Sequence, residues 1–253
     1  MQLTFLGTGT SMGVPVAGGF GSDITKMDPR DFRYRCSAWI QTKEKSFVID
    51  TGPEFRLQTL RANIKRIDAL LITHEHMDHI GGLDDLRAYN YEQKETIPVY
   101  TNAETEKAIR TRFSYMFPPD KTPGSVNIDF RILNSKPIVD GDCTITPLPV
   151  KHGTMDVLGF RLNDLSYVTD VSFIPEETKK LIQGSKLLVL SGLRWSPEHP
   201  THYTIPQAIE VARTLDVEQT YLIHISPFVY HQDISKKMPE DVKLAYDQLS
   251  VTI

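Results

Sequence analysis

Between Thr73 and His79 the chain reads Thr-His-Glu-His-Met-Asp-His, so three histidines and an aspartate fall within six residues. Imidazole and carboxylate are ligands for Zn²⁺, Mn²⁺, Fe or Ni, and the lack of a thiolate excludes none of these. Three further residues share one local setting, directly after a short apolar run. They are His152 after 144–151, Asp170 after 166–169 and His224 after 220–223. A lone histidine after a strand is more often a satisfied structural residue than a ligand. Five of the chain's eight histidines, together with two aspartates, shift that expectation toward metal. His74, His76 and His152 would hold a first ion, and Asp78, His79 and His224 a second. The Asp170 carboxylate can bridge both. Two ions about 3.5–4 Å apart can share a hydroxide, lower its pKa toward neutrality and clamp an in-line displacement. Such a centre hydrolyses without a serine or cysteine nucleophile.

For these residues to meet, the runs before them must be strands of similar direction whose C-terminal ends share one edge, where open α/β sheets commonly bind ligands. Apolar runs predict strands over 3–6, 37–41, 46–49, 69–72, 98–100, 128–133, 144–150, 157–162, 165–168, 187–190 and 220–223. Several are too uniformly apolar for a strand with one wet face, which implies sheets covered on both sides. Helices are predicted over 104–115, 175–182 with Pro175 in the first turn, 205–215 and 239–249. The first half reads as strand-rich and hairpin-like, whereas the second interleaves strands and helices. The stretch 107–124, aromatic and with three prolines, is the least regular and reads as a surface excursion. There is no internal repeat, linker or low-complexity segment, so residues 1–253 read as one α/β domain.

Composition narrows the function classes. The 253 residues are 40% hydrophobic and 24% charged, the balance of an ordinary globular protein. Lys plus Arg is 28 against 32 Asp plus Glu, a net charge of -4, which argues against a nonspecific polyanion binder. Cys36 and Cys143 lie far apart and build neither a disulfide framework nor a Cys-x-x-Cys zinc clip. The opening residues lack the charged and apolar regions of a signal peptide. No stretch approaches the roughly 20 apolar residues of a membrane helix. The expectation is a cytoplasmic protein with no membrane contact.

His74-x-His76-x-Asp78-His79, followed by His152, Asp170 and His224, resembles the metallo-β-lactamase fold superfamily. Leu6-Gly7-Thr8-Gly9-Thr10 and Phe47-Val48-Ile49-Asp50-Thr51-Gly52 fit the same pattern, and the likeness covers essentially the whole chain. It implies a four-layer αβ/βα sandwich with the site at one edge. The superfamily hosts lactamases, thioesterases, lactonases, nucleases and phosphodiesterases, so fold alone does not decide the reaction.

Four stretches are more similar to one branch. These are residues 7–15 (Gly-Thr-Gly-Thr-Ser-Met-Gly-Val-Pro), Asp28 to Asp31 with Arg33 and Arg35, residues 82–87, and Leu193-Arg194 leading to His199-Pro200-Thr201-His202. They resemble the phosphodiesterase family that contains the phosphoribosyl cyclic-phosphate enzyme of phosphonate breakdown. That resemblance implies a dinuclear hydrolase, with zinc or manganese before iron or nickel, acting on a small phosphate ester that can be cyclic. A metal-bridging hydroxide would attack phosphorus. His202 matches the family's active-site histidine that is not a ligand, the candidate general acid, and joins Asp78 in the catalytic set. A histidine of ordinary pKa suits protonation of a departing alkoxide.

Other residues carry weaker expectations. Asp50 is a candidate to orient a ligand imidazole. Thr8, Thr10 or Ser11 are candidates for phosphate contact at the rim. Arg87 is equally a partner for a substrate anion or for Asp84 and Asp85. His199 braces its loop, and His231 reads as a surface residue or one adjoining the site.

The chain departs from this branch in two places. The family often binds a structural zinc through cysteines after the Gly-Val-Pro stretch and a histidine three residues beyond the last active-site histidine. Here residues 19–25 hold no cysteine and Pro227 occupies the histidine's place. No structural zinc is expected, so the 18–27 loop must be held by packing, with Phe20 the candidate anchor, or be mobile. Ser191-Gly192 also stands where the family tends to have an acidic residue.

The competing readings are a tRNA 3′-processing endonuclease, a thioesterase or lactonase of the same fold, and a metal-binding relative without catalysis. The first usually carries a long arm rich in glycine and basic residues, which this chain lacks, so a small-molecule substrate is expected and nucleic acid is not. Superfamily members often dimerise, which admits a homodimer.

Overall fold

The structure is a computed structural model and describes residues 1–118 and 124–253. Its strands are β1 (Gln2–Gly7), β2 (Ser37–Gln41), β3 (Ser46–Ile49), β4 (Ala69–Leu71), β5 (Ile97–Thr101), β6 (Ile128–Ile132), β7 (Ile138–Asp140), β8 (Cys143–His152), β9 (Met155–Leu162), β10 (Leu165–Val168), β11 (Leu187–Ser191), β12 (Gln219–Ile223), β13 (Val242–Leu244) and β14 (Ser250–Thr252). They form two sheets, ordered β14-β1-β2-β3-β4-β5-β6 and β13-β12-β11-β10-β9-β8-β7. Both are mixed. β1, β2 and β3 pair antiparallel and β3 to β6 parallel. In the other sheet β7 to β10 are antiparallel and β10 to β13 parallel.

Strand periodicity explains the uniformly apolar runs. Successive side chains point to opposite faces. Phe47 and Ile49 therefore enter the core between the sheets, where they meet Phe160, Tyr167 and Val189 from the other sheet. Val48 points outward and packs with Phe55, Ile80, Leu86 and Ile109. On β11, Val189 faces inward while Leu188 and Leu190 face outward onto Ile182, Ile205 and Ala208. Both faces of both sheets are thus buried, and the result is the expected four-layer sandwich.

The outer layers are α1 (Phe55–Arg61), α2 (Met77–Ile80), α3 (Leu86–Gln93), α4 (Ala103–Arg112), α5 (Glu176–Ile182), α6 (Ile205–Arg213) and α7 (His231–Ser235). In α6 the buried Ile205, Ala208, Ile209 and Ala212 recur at helical spacing, and a capping box between Thr204 and Gln207 starts the helix. Among the described residues, no helix is long and apolar enough to cross a membrane.

The structure corrects two expectations and adds elements that none covered. Residues 239–249 are not helical. Val242 and Leu244 are buried, Lys243 is exposed, and the segment pairs parallel with β12 as an edge strand. Short length and the proline that opens the segment, Pro239, hid that alternation. Second, 107–124 is not all excursion, because 107–112 complete α4, and Phe113 and Met116 are buried against the outer face of the first sheet. Residues 119–123 of that stretch lie outside the described residues. The elements without any expectation are β7, β14, α1, α2, α3 and α7.

Phe160 is buried between the sheets. Phe160→Ala is expected to destabilise the fold by about 3–5 kcal/mol through the lost transfer energy and the cavity left behind. Denaturant unfolding with an unchanged slope measures this directly.

Candidate active site

The motif segment leaves β4 at its C-terminal end, and β8, β10 and β12 end at the same edge, since β8 and β10 share a direction and β12 runs parallel to them. A backbone bond links the two sheets here, from the Leu158 N–H to the Thr73 carbonyl at 3.0 Å. Asp50, Asp170 and His224, just beyond β3, β10 and β12, adopt φ of 58°, 47° and 59°. Non-glycine residues in this left-handed region cluster at functional sites.

The expected ligands converge. Donor atoms of Asp78, His79, Asp170 and His224 all lie within 4.8 Å of one another. His79 Nε2 stands 3.1 Å from Asp78 Oδ2 and 3.4 Å from Asp170 Oδ1, and His224 Nε2 stands 3.3 Å from Asp170 Oδ2. On the other side, His74 Nε2 faces His76 Nδ1 at 3.0 Å and Asp170 Oδ2 at 4.0 Å. The His152 ring completes that side, its centroid 5.4 Å from that of His76. Asp170 therefore reaches both sides of the cluster. His202 comes closer than its expected role requires, for its donor atom groups with those of His152 and Asp170 within 4.8 Å. Its ring stacks on His224 with centroids 4.6 Å apart.

A hydrogen-bonded relay beneath the cluster orients the rings. The His79 Nδ1–H donates to Asp50 Oδ2 at 2.7 Å. Asp50 also accepts from the Thr73 N–H and Oγ1–H, both at 2.9 Å. With its proton given to Asp50, Thr73 Oγ1 accepts from His74 Nδ1 at 2.9 Å. The His152 Nδ1–H donates to the Thr201 carbonyl at 2.8 Å. In His74, His79 and His152 the Nδ1 is thus engaged below, and Nε2 is left to the cluster. Asp50 was anticipated. Thr73 and Thr201 were not, although Thr73 directly precedes the motif. A backbone carbonyl such as that of Thr201 leaves no trace in residue type.

These residues fit divalent cations. Asp50, Asp78 and Asp170 are buried, yet among the described residues their charged partners are histidines and no lysine or arginine pairs with them. His79 Nε2 and both ring nitrogens of His224 are buried without a hydrogen-bond partner. Buried carboxylates and orphan nitrogens aimed at one another are an uncompensated arrangement. In the protein alone, burial opposes a charge on His79, but Asp170, Asp50 and Asp78 outweigh it and hold its pKa well above the ordinary value. Burial, with His79 beside it, pushes His74 well below. His202 is lowered to about 3 by burial and by His224.

The remaining sequence candidates divide. His199 Nδ1 accepts from the Thr201 N–H at 3.3 Å and so braces the loop that carries His202. Arg87 pairs with Asp84 Oδ2 at 2.6 Å on the surface. Thr8 does not face the rim, because its hydroxyl donates to Asp247 at 2.8 Å and accepts from Arg33 at 2.8 Å. The Thr10 hydroxyl is buried and has no hydrogen-bond partner. His231 is neither exposed nor in the cluster. Its ring is buried against Arg33, whose Nη2 lies 3.2 Å from His231 Nδ1, and burial with Arg33 lowers its pKa to about 4. The 18–27 loop is held at its base, where Gly21 packs on Phe228 and Pro227, Ser22 Oγ donates to the Pro227 carbonyl at 3.3 Å and the Asp23 N–H donates to Tyr230 Oη at 2.9 Å. Phe20 is 76% exposed and is not the anchor.

Replacing Asp50 with Asn keeps the shape but removes the anion that fixes the His79 tautomer. Asp50→Asn is expected to weaken divalent-metal affinity by about 10- to 100-fold with the fold intact, measured by competition with a chelating dye alongside circular dichroism.

Comparison with known proteins agrees with this geometry. Residues 45–225 match the family model described as the beta-lactamase superfamily domain. The crystal structure of a new diphosphatase from the PhnP family superposes with a TM-score of 0.92 at 35% identity, covering 100% of this chain and 97% of that one. An octanoyltransferase of Porphyromonas gingivalis is 35% identical over 256 residues, which are 100% of this chain and 52% of that protein. A ribonuclease Z of Bradyrhizobium diazoefficiens is 25% identical over 163 residues, 62% of this chain and 48% of that protein. The chain spans about half the length of these sequence relatives. On the whole-length likeness and the family-model match, the chain belongs to the metallo-β-lactamase superfamily, in its PhnP branch.

Proposed function

We propose that the chain is a dinuclear metal-dependent hydrolase that cleaves a phosphodiester or diphosphate bond in a small molecule. The observation that carries this reading is the meeting of Asp78, His79, Asp170 and His224 with His74, His76 and His152, without a cationic side chain among the described residues. A serine or cysteine mechanism has no comparable support, because both cysteines are buried and Cys36 and Cys143 are pushed upward by burial. Choice of the phosphoryl group rests on the PhnP-family diphosphatase, which shares 35% of its sequence with this chain over nearly its whole length. The two buried free thiols suit a reducing cytoplasm. One hydrolase domain over residues 1–253 is the simplest account of cores shared between both sheets.

His74, His76 and His152 would hold one ion and Asp78, His79 and His224 the other, with Asp170 reaching both. Zinc or manganese suits the donors first, and iron or nickel also fits. When bound, two such ions would supply positive charge against the phosphoryl oxygens and an acidified water. The chain's own residues do the rest. Asp50 and Thr73 keep the His79 and His74 protons on Nδ1. Asp170, fixed by the Thr169 hydroxyl at 2.7 Å, holds the two sides in register. His202, buried and carrying an unpartnered Nδ1, is neutral in the protein alone. A bound phosphate anion beside it would raise its proton affinity, which lets it deliver a proton to the leaving oxygen.

After separate loading with Mn²⁺ and Zn²⁺, the protein is expected to hydrolyse an activated aryl phosphodiester and leave a thioester and a lactone untouched. Asp170→Ala should lose both metal content and turnover. Activity confined to the thioester or lactone would move the chain to another branch, and an active Asp170→Ala would refute the shared-ligand assignment. His202→Ala is expected to slow esters of poor leaving groups by about 10²- to 10⁴-fold and aryl esters far less. Its metal content should be unchanged. Equal losses on both ester classes, or lost metal, reject the acid role.

A further inference from the structure

A cavity beside the metal-binding cluster takes no part in that chemistry. It is an open groove of about 400 Å³, and its walls include Ser11, Met12, Phe20, Arg35, Pro227 and Phe228. It adjoins the Asp78 and His224 side. Gly9 and Thr10 pair with Ile225, the residue after His224, and Pro227 follows two positions later. Arg35 stands against Gly52, and a Cβ at Gly52 would land on the Asp78 carbonyl.

Three wall residues are large, apolar and turned to solvent, with Phe20 76%, Phe228 63% and Met12 60% exposed. A contiguous patch of this kind marks a site of interaction. The local backbone is built to present it. Gly18, Gly19 and Gly21 have φ of 78°, 74° and 77°, a region that side chains other than glycine rarely adopt. A Cβ on Gly18 would collide with the Phe20 ring, and one on Gly21 would press on Phe228. The loop is meanwhile anchored by Ser22 and Asp23 at its base, so the Phe20 ring rides on a pinned segment rather than a free one.

The polar groups of the wall are few and partly spent. Arg35 is already paired with Glu54 and donates to the Ser11 carbonyl at 2.6 Å. Apolar, partly aromatic walls whose arginine is already paired do not match sugar hydroxyls or a second phosphate. They match the faces of a planar ring, which stack on phenylalanine regardless of ring identity. The volume falls in the range that holds a nucleoside-sized group.

We propose that this cavity is a base-binding subsite, taking the nucleobase of a substrate whose phosphate lies at the neighbouring histidine and aspartate cluster. The substrate class is then a nucleotide ester or anhydride rather than a simple sugar phosphate. This rests on the proposed hydrolysis at phosphorus.

The test compares adenosine 5′-monophosphate with ribose 5-phosphate, which lacks only the base, by calorimetric titration of the Mn²⁺-loaded protein. The nucleotide should bind at least about 10-fold more tightly, the scale of one stacked base. Phe20→Ala, at an exposed position, should bring the two within roughly threefold while leaving ribose 5-phosphate unchanged, and Phe20→Trp should restore the preference. Equal binding of both ligands by the wild type, or a preference that survives Phe20→Ala, overturns the subsite. So does a Phe20→Ala variant that changes the sedimentation coefficient with the preference intact, which would assign the patch to a second copy of the chain. The parent reading fails separately. A wild type that prefers the nucleotide but hydrolyses no phosphodiester supports the subsite and refutes the activity, whereas hydrolysis without preference does the reverse.

Discussion

Three buried aspartates gathered around His79, with no lysine or arginine paired to them among the described residues, set the terms for this edge of the molecule. Carboxylates removed from water need compensation, and hydrogen bonds alone supply only part of it. In the protein alone the compensation falls on imidazole, so His79 is drawn toward its charged form even though it is fully buried. Asp170 is meanwhile held well below the usual carboxylate range despite burial, by His224 and His79. Divalent cations answer the same demand with more charge and without protons. The site is therefore an electrostatic argument first and a list of ligands second.

The sandwich makes that arrangement tolerable by over-determining it. Asp50 is tied by its own backbone N–H to the Leu71 carbonyl at 3.0 Å, and its side chain takes three donors. Asp170 and His224 leave strands that are paired on both sides, inside sheets buried on both faces. Left-handed backbone at such strand ends costs of order 1–3 kcal/mol per residue, and it persists because the surrounding pairing allows no other exit. A second buried network, Arg33 with Thr8, Asp247 and the Ala245 carbonyl, locks the opening loop to the C-terminal segment. Thr8 and His231 belong to that network, which is why neither serves the rim.

The loop after Gly-Val-Pro is held by packing and hydrogen bonds at its base. Gly21 on Phe228 and two hydrogen bonds at Ser22 and Asp23 close the loop. This closure has a consequence at the surface. A phenylalanine stands at the loop tip and another at its base, on the side of the histidine and aspartate cluster. The solution to a folding problem thereby also shapes what the edge can hold.

Much of this was legible in the residues. The His74 to His79 run, the positions of His152, Asp170 and His224 after apolar runs, and the alternation that buries both sheet faces all follow from spacing and side-chain period. Asp50 was legible too, because it ends a strand beside the motif. Residue types could not place the short edge strands, since β13 and β14 are three residues each and owe their state to a neighbouring strand. They could not find Thr201, whose contribution is a carbonyl. They put His231 at the surface or next to the site, wrongly, because its burial depends on a partner nearly two hundred residues away, Arg33. They also could not tell that Phe20 is presented rather than buried. Local sequence determined which groups were available and which faces were apolar, for those depend on period and chemistry alone. Only the tertiary structure decided which groups share a site, because that depends on contacts between segments that the chain brings together last.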